Sequence, residues 1–282
     1  MERQKRIAAI HDISGFGKCA LTVALPVISA AGIEVSVIPT AILSTHTGGL
    51  TGYTHLDLTD EMPKIANHWE SLNLTFDAVY SGYLGSERQI DIVSQFIDTF
   101  KTEESIAIVD PAMADNGKMY ALLDMQFAKS MKRLCKKADI IVPNMTEAAF
   151  LLDREYFHGP YTKGYIEATL RELSAMGPRK IVLTGVCFDE NTIGAASYDR
   201  DEGVVHYYFR NRVDGMFHGT GDVFASALTA ALLRGKHLQN ATEIAVNFTV
   251  DSIERTAKGG TDHRYGVDFE RGLGDLIKVL DE

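Results

Sequence analysis

Short apolar runs alternate with longer segments of helical patterning along most of the chain. The runs at 6–10, 35–39, 78–81, 106–110, 140–143 and 181–184 have the length of buried strands. Between them, residues 87–101, 121–137 and 165–176 place apolar side chains at helical spacing. Residues 193–198 and 204–209, separated by Asp-Arg-Asp-Glu-Gly, read as a β-hairpin. Near the C-terminal end, apolar positions 223, 224, 227, 228, 231 and 232 form one helix face, with Arg234 in the last turn and Gly235 just beyond it. Strand and helix in alternation predict an α/β protein, a three-layer α-β-α arrangement with a mainly parallel sheet and helices on both faces.

Composition narrows this little. The 282 residues, 45% of them hydrophobic and 23% charged, suit one domain over 1–282. A net charge of −10 argues against a nucleic-acid surface. Cys19, Cys135 and Cys187 are scattered and form no CxxC, which points to a reducing compartment and no zinc site. The apolar run at 7–10 is too short for a signal peptide, and no uncharged stretch has the length of a membrane span, so a cytoplasmic protein is expected.

The stretch His218-Gly219-Thr220-Gly221-Asp222 carries the most chemistry. It is a glycine-bearing turn feeding a helix, where unpaired backbone N–H groups and the helix dipole make an anion site. Asp222 opposes that site by its charge. The conflict resolves if Asp222 takes a proton from a hydroxyl that attacks a phosphoryl group; the plainer reading makes it a helix cap.

Other candidates lie at strand ends or helix starts, which meet at one sheet edge in such folds. Asp110 ends a strand and Asp115 follows in an Asp-Asn-Gly turn. Asn144 and Glu147 open a helix with the spacing of a capping box, and Thr184 ends another strand. Acids beside an anion turn make sense with Mg²⁺ and a polyphosphate between them. The polar loop 45–53 could cover a pocket with His46 and Thr47, and Tyr83 in loop 81–86 could stack on a flat ring. After the first strand, a P-loop fails at Asp12 and Cys19, whereas Gly15, Gly17 and Ala20 fit a dinucleotide fingerprint without its acidic partner.

Taken together, Gly219-Thr220-Gly221-Asp222, Ser81-Gly82-Tyr83-Leu84-Gly85, Asp110-Pro111-Ala-Met-Ala-Asp115, the 117–120 segment, Asn144-x-x-Glu147 and Thr45-His46-Thr47 resemble the motifs of pyridoxal kinases in the ribokinase-like superfamily, in order and over about residues 6–257. The resemblance implies a single ribokinase-like kinase domain that phosphorylates the 5′-hydroxymethyl group of pyridoxal, pyridoxine or pyridoxamine with ATP, as in vitamin B6 salvage. It makes Asp222 the base and Gly219, Thr220 and Gly221 the N–H donors to the phosphoryl charge. Asp115 and Glu147 would organise Mg²⁺, with Asp110 supporting a monovalent cation. Tyr120, Thr184, Gly185 and Asn144 would serve ATP; His46, Thr47, Tyr83 and Ser14 would hold the vitamer. The partner is a small molecule, with neither nucleic acid nor membrane, and related kinases are often homodimers.

Two stretches depart from that pattern. His11-Asp12-Ile13-Ser14-Gly15 is spaced more like hydroxymethylpyrimidine kinases of the same fold, and Gly185 follows Thr184 where a second hydroxyl residue is common. Asp222, by contrast, stands where the pyrimidine enzymes typically carry Cys. The alternatives are a hydroxymethylpyrimidine kinase, a dinucleotide-dependent oxidoreductase resting on Gly15-x-Gly17-x-x-Ala20, and a non-catalytic binding module, against which the acids around the anion turn argue.

Overall fold

The computed structural model describes residues 3–121 and 123–282. In chain order the first elements are β1 (Arg6–Ser14), α1 (Leu21–Ala30), β2 (Glu34–Leu43), β3 (His55–Asp57), α2 (Met62–Ser71), β4 (Ala78–Ser81), α3 (Glu87–Phe100), β5 (Ile106–Val109), β6 (Ala114–Asp115) and β7 (Lys118–Met119). There follow α4 (Met125–Cys135), β8 (Ile140–Ile141), α5 (Met145–Leu151), α6 (Lys163–Ala175), β9 (Lys180–Val186), β10 (Thr192–Asp199), β11 (Val205–Asn211), α7 (Thr220–Leu233), α8 (Leu238–Gly259) and α9 (Leu273–Asp281). The chain divides into two compact units: Met1–Ala78 with Val213–Glu282, and Val79–Arg212. The sequence reading treats 1–282 as one domain; the division is discontinuous, with the second unit inserted into the first.

In the first unit β1 pairs in parallel with β2, Ile7 opposite Val35 and Ile10 opposite Ile38. The register shifts between His11 and Ile13, where Thr40 and Ala41 of β2 face Asp12 alone. Such a bulge re-aims side chains, and here it lies at the strand's carboxyl end. The short β3 runs antiparallel along β2. The core is Ile7–Ile10 of β1 against Val23, Val27 and Ile28 of α1, with α1 also packed on α7 and α7 on α8. Helix α7 is buried nearly all round, from Val223 to Ala231, which suits its small-residue composition. Gly235 adopts φ +82° beyond its end, as its position in the sequence requires, and Gly235 and Lys236 donate N–H bonds back to Leu232 and Ala231.

In the second unit the strands order β11–β10–β9–β8–β5–β4, parallel from β5 through β8 to β9 and antiparallel across β9, β10 and β11. Ile108, Val109, Ile140, Ile141 and Ile181–Leu183 form its buried middle, covered by Leu134 of α4, Leu151 of α5 and Leu170 of α6. The fold class is as expected: mostly parallel strands flanked by helices. Boundaries differ locally. The helix expected over 121–137 starts at Met125, because Asp124 accepts the N–H of Phe127 and caps it; Leu122, inside that expectation, lies outside the described residues.

Candidate active site

The glycine turn has the geometry its sequence suggests. Gly219 is the N-cap of α7 at φ +74°, and a Cβ there would lie 1.9 Å from the Lys18 carbonyl oxygen. Only glycine satisfies both constraints. No side chain caps this end, which is the arrangement an anion site at a helix N-terminus requires. Thr220 directs its hydroxyl to the Phe217 carbonyl, and Gly221 is exposed.

Asp222 is half-buried at the third position of α7. Its carboxyl accepts the N–H of Ala20, the N-cap residue of α1. Ala20 has no capping side chain and holds φ 50°, ψ −131°, a conformation that disfavours L side chains. The strain aims a backbone donor at the acid. Burial pushes the Asp222 carboxyl up to about 7; the Ala20 N–H works against that and the charge of Asp12 adds to it. A carboxyl near neutrality is suited to taking a proton at physiological pH.

Asp12 sits at the bulge, buried, with its Oδ2 accepting the Ser14 hydroxyl at 3.0 Å. Burial raises its pKa, the Ser14 bond opposing. Ser14 is itself 1% exposed, so the structure turns this substrate-binding candidate toward Asp12. Cys19 completes the group; burial, then the charges of Asp222 and Asp12, hold its thiol well above the usual range and so protonated. Asp12 and Ala20 carry weight that the sequence reading did not give them. A backbone N–H such as that of Ala20 leaves no mark in a sequence.

The loop 45–53 separates its two candidates. Thr47 is exposed, whereas His46 is buried. The His46 Nδ1 accepts the Gly48 N–H at 3.0 Å, and its Nε2 lies 2.5 Å from the Arg264 carbonyl oxygen. Both ring nitrogens are thus engaged within the protein, which corrects the expectation that His46 offers a hydrogen bond to a vitamer. Gly17 explains itself here: at φ +87° its missing Cβ would stand 2.0 Å from the His46 ring. The glycines of the dinucleotide fingerprint serve packing.

In the second unit Asn144 and Glu147 form a capping box. Asn144 Oδ1 accepts from Thr146 and Glu147 N–H at 2.8 and 2.9 Å, and Glu147 Oε2 accepts the Asn144 N–H at 2.8 Å. The box also reaches outward. Glu147 Oε1 takes the Met113 N–H at 3.1 Å, and Asn144 Nδ2 donates to the Ala114 carbonyl at 2.8 Å. The pair therefore clamps the segment that carries Asp110 and Asp115. Asp110 is buried, whereas Asp115 is exposed and its oxygens accept from the backbone and side chain of Asn116. Asn116 and Gly117, at φ 50° and 78°, make the tight turn between β6 and β7 that Asp-Asn-Gly predicts.

Thr184 and Asn144 bridge as neighbouring strand positions, Thr184 N–H bonds the Pro143 carbonyl, and Gly185 follows at φ +73°. Three of the four nucleotide candidates thus share one strand edge. The fourth, Tyr120, donates its N–H to Met113 and faces Tyr83 with ring centroids 6.3 Å apart.

Among the described residues no three His, Cys, Asp or Glu side chains converge as direct metal ligands. The donor chemistry nevertheless fits a water-held Mg²⁺. Burial, then the neighbouring Asp110, raises the Glu147 carboxyl well above the usual range, and a cation would relieve that repulsion. The Glu147 oxygens already hold backbone N–H groups, so such an ion would act on them through its waters.

The comparisons with known proteins agree with this geometry. A Bacteroides thetaiotaomicron protein provisionally designated a phosphomethylpyrimidine kinase, crystallised in an orthorhombic form with pyridoxal, is 40% identical, with a TM-score of 0.93 over 97% of this chain and 96% of that one. Pyridoxal kinase from Lactobacillus plantarum is 30% identical, with a TM-score of 0.90 over 98% of each chain. The Bacillus subtilis hydroxymethylpyrimidine/phosphomethylpyrimidine kinase is 29% identical over 227 residues, 79% of this chain and 80% of its own. Relatives are thus divided between two kinase activities, pyridoxal and hydroxymethylpyrimidine, and none of these is an oxidoreductase. A profile of the phosphomethylpyrimidine kinase family matches residues 24–266, and with the glycine turn, its half-buried acid and the parallel sheet in place, the chain belongs to that family of kinases, in the ribokinase-like fold.

Proposed function

We propose that, within this family, the chain is a vitamin B6 kinase that transfers the ATP γ-phosphoryl group to the 5′-hydroxymethyl group of pyridoxal, pyridoxine or pyridoxamine. The observation that carries the reading is Asp222, a carboxyl brought near neutrality by burial, at the third position of an uncapped helix. A substrate alcohol is far too weak an acid to be ionised beforehand. Asp222 therefore orients the hydroxyl and accepts its proton as the new O–P bond forms. The N–H groups of Gly219, Thr220 and Gly221 take up the charge that develops on the phosphoryl oxygens. Thr47 and Tyr83 hold the ring, while Tyr120, Asn144, Thr184 and Gly185 serve the nucleotide. Mg²⁺, when bound, would neutralise polyphosphate charge; Asp115 and Glu147 would organise it, Glu147 through its waters, and Asp110 would support a monovalent cation. The same reading makes the enzyme a cytoplasmic homodimer acting through one kinase domain.

The spacing of Asp12-Ile13-Ser14 and the relatives that act on pyrimidines favour a second reading, hydroxymethylpyrimidine phosphorylation. A panel decides between them: purified protein, ATP and Mg²⁺ with pyridoxal, pyridoxine, pyridoxamine and hydroxymethylpyrimidine, products read by mass. At least one B6 vitamer is expected to react faster than the pyrimidine. Turnover of the pyrimidine alone would overturn the assignment and leave the fold intact.

A further inference from the structure

We infer that His46 is a positioning residue: its ring fastens the loop 45–53 to the segment 262–266, so that Thr47 is presented to the alcohol from a fixed backbone. This rests on the proposed function only for what Thr47 meets; the fastening stands on the geometry of the first unit. Because the Gly48 N–H donates to Nδ1, that nitrogen carries no proton, and the proton sits on Nε2. Nε2 then donates to the Arg264 carbonyl. The ring spans two segments more than two hundred residues apart in sequence.

Each end of this link is itself held. On the loop side, the His46 backbone N–H bonds the Phe16 carbonyl at 3.1 Å, and Gly17 leaves room for the ring. Gly48 is small for a matching reason: a Cβ there would stand 2.4 Å from Nδ1 of His218, whose ring lies 5.4 Å from that of His46. On the far side, Asp262 fixes Arg264. Its Oδ1 accepts the Arg264 N–H at 2.9 Å, and its carboxylate pairs with the guanidinium at 2.7 Å. The Lys18 N–H then bonds the Tyr265 carbonyl, which ties the segment to the loop preceding α1. The order of support runs from Asp262 to the Arg264 carbonyl, to the His46 ring, to the backbone of Thr47.

This order can be tested at its remote end. Asp262 caps a short 3₁₀ turn, and its carboxylate hydrogen-bonds the Arg264 backbone and guanidinium. Asp262→Ala should speed amide hydrogen exchange across 45–53 as well as 262–266, measured on the full chain without substrate. With the preferred vitamer it should raise the alcohol KM roughly 3- to 10-fold, the scale of one lost hydrogen bond, with kcat and the ATP KM within twofold. Asp262→Asn keeps an acceptor for the Arg264 N–H and should restore both readouts. The reciprocal variant His46→Phe keeps a ring without nitrogens and should loosen 262–266. Exchange that changes only around residue 262 in Asp262→Ala, or only around residue 46 in His46→Phe, overturns the link. A raised alcohol KM in His46→Phe with unchanged exchange at 262–266 would return His46 to direct substrate contact. If no alcohol in the panel is phosphorylated, the proposed function fails, while the exchange measurement still decides the link.

Discussion

Glu147 and Asp222 occupy the same place in two different helices, the third residue after the N-cap. Both lie where burial raises the carboxyl pKa. Their fates diverge at the N-cap. Asn144 donates its backbone N–H to Glu147 and receives the helix N–H groups in return, so that acid is turned inward and its helix end is closed. Gly219 has no side chain to complete such a box. The end of α7 stays open, and Asp222 finds its donor on Ala20 of another helix. An acid at this position is structural when its own N-cap engages it. Under the proposed function, it is available for chemistry when glycine leaves the cap open.

The sharpest break of this comparison is Asp222→Asn. Asn keeps the size and an oxygen for the Ala20 N–H but cannot take a proton. Its kcat should fall by about 10²–10⁴, the range for a lost general base, while ATP affinity by calorimetry holds or improves as a negative charge leaves. In the wild type, kcat/KM should decline as pH falls below about 7, where Asp222 becomes protonated. A mutant kcat within a few-fold of wild type would make Asp222 a cap like Glu147.

Glu147→Gln tests the other half. The amide can accept one of the backbone N–H groups but turns a donor toward another, so unfolding free energy should drop by about 1–3 kcal/mol in urea titration. If Glu147 also serves Mg²⁺ through water, the Mg²⁺ concentration for half-maximal rate rises in the same variant. A fall in stability with unchanged Mg²⁺ dependence would leave Glu147 a clamp alone.

A further effect sharpens the contrast through pH. The Asp222 carboxyl binds its proton more tightly folded than unfolded, at about 7 against 3.8. Its ionisation therefore costs the folded state nothing below the unfolded value, progressively more up to about pH 7, and a constant amount above. The melting temperature of Asp222→Asn should exceed that of wild type by a margin that widens from pH 5 to pH 8. A margin independent of pH would show that the acid is not held in a desolvated place.

Much of this was legible in the chain. The strand at 78–81, the hairpin at 193–209, the end of α7 at Gly235 and the box at Asn144 and Glu147 follow from local periodicity and cap chemistry. What escaped is long-range. Ser14 and His46 look like free hydrogen-bonding groups until the bulge brings Asp12 to one and the chain's return brings the Arg264 carbonyl to the other. Gly17 fits a nucleotide fingerprint by spacing, yet its conformation answers to an imidazole from another loop. Every residue carries a carbonyl oxygen and all but proline an amide hydrogen, so sequence gives no sign of which ones a fold will use.

The discontinuous first unit bears on how the chain is made. During synthesis residues 3–78 leave the ribosome with their partners in Val213–Glu282 still untranslated, whereas Val79–Arg212 emerges whole. At about 5–20 residues per second the wait is on the order of ten seconds. Helix α1, on which α7 packs, spends that interval without its final cover, and the segment that bears Asp222 joins the unit only afterwards.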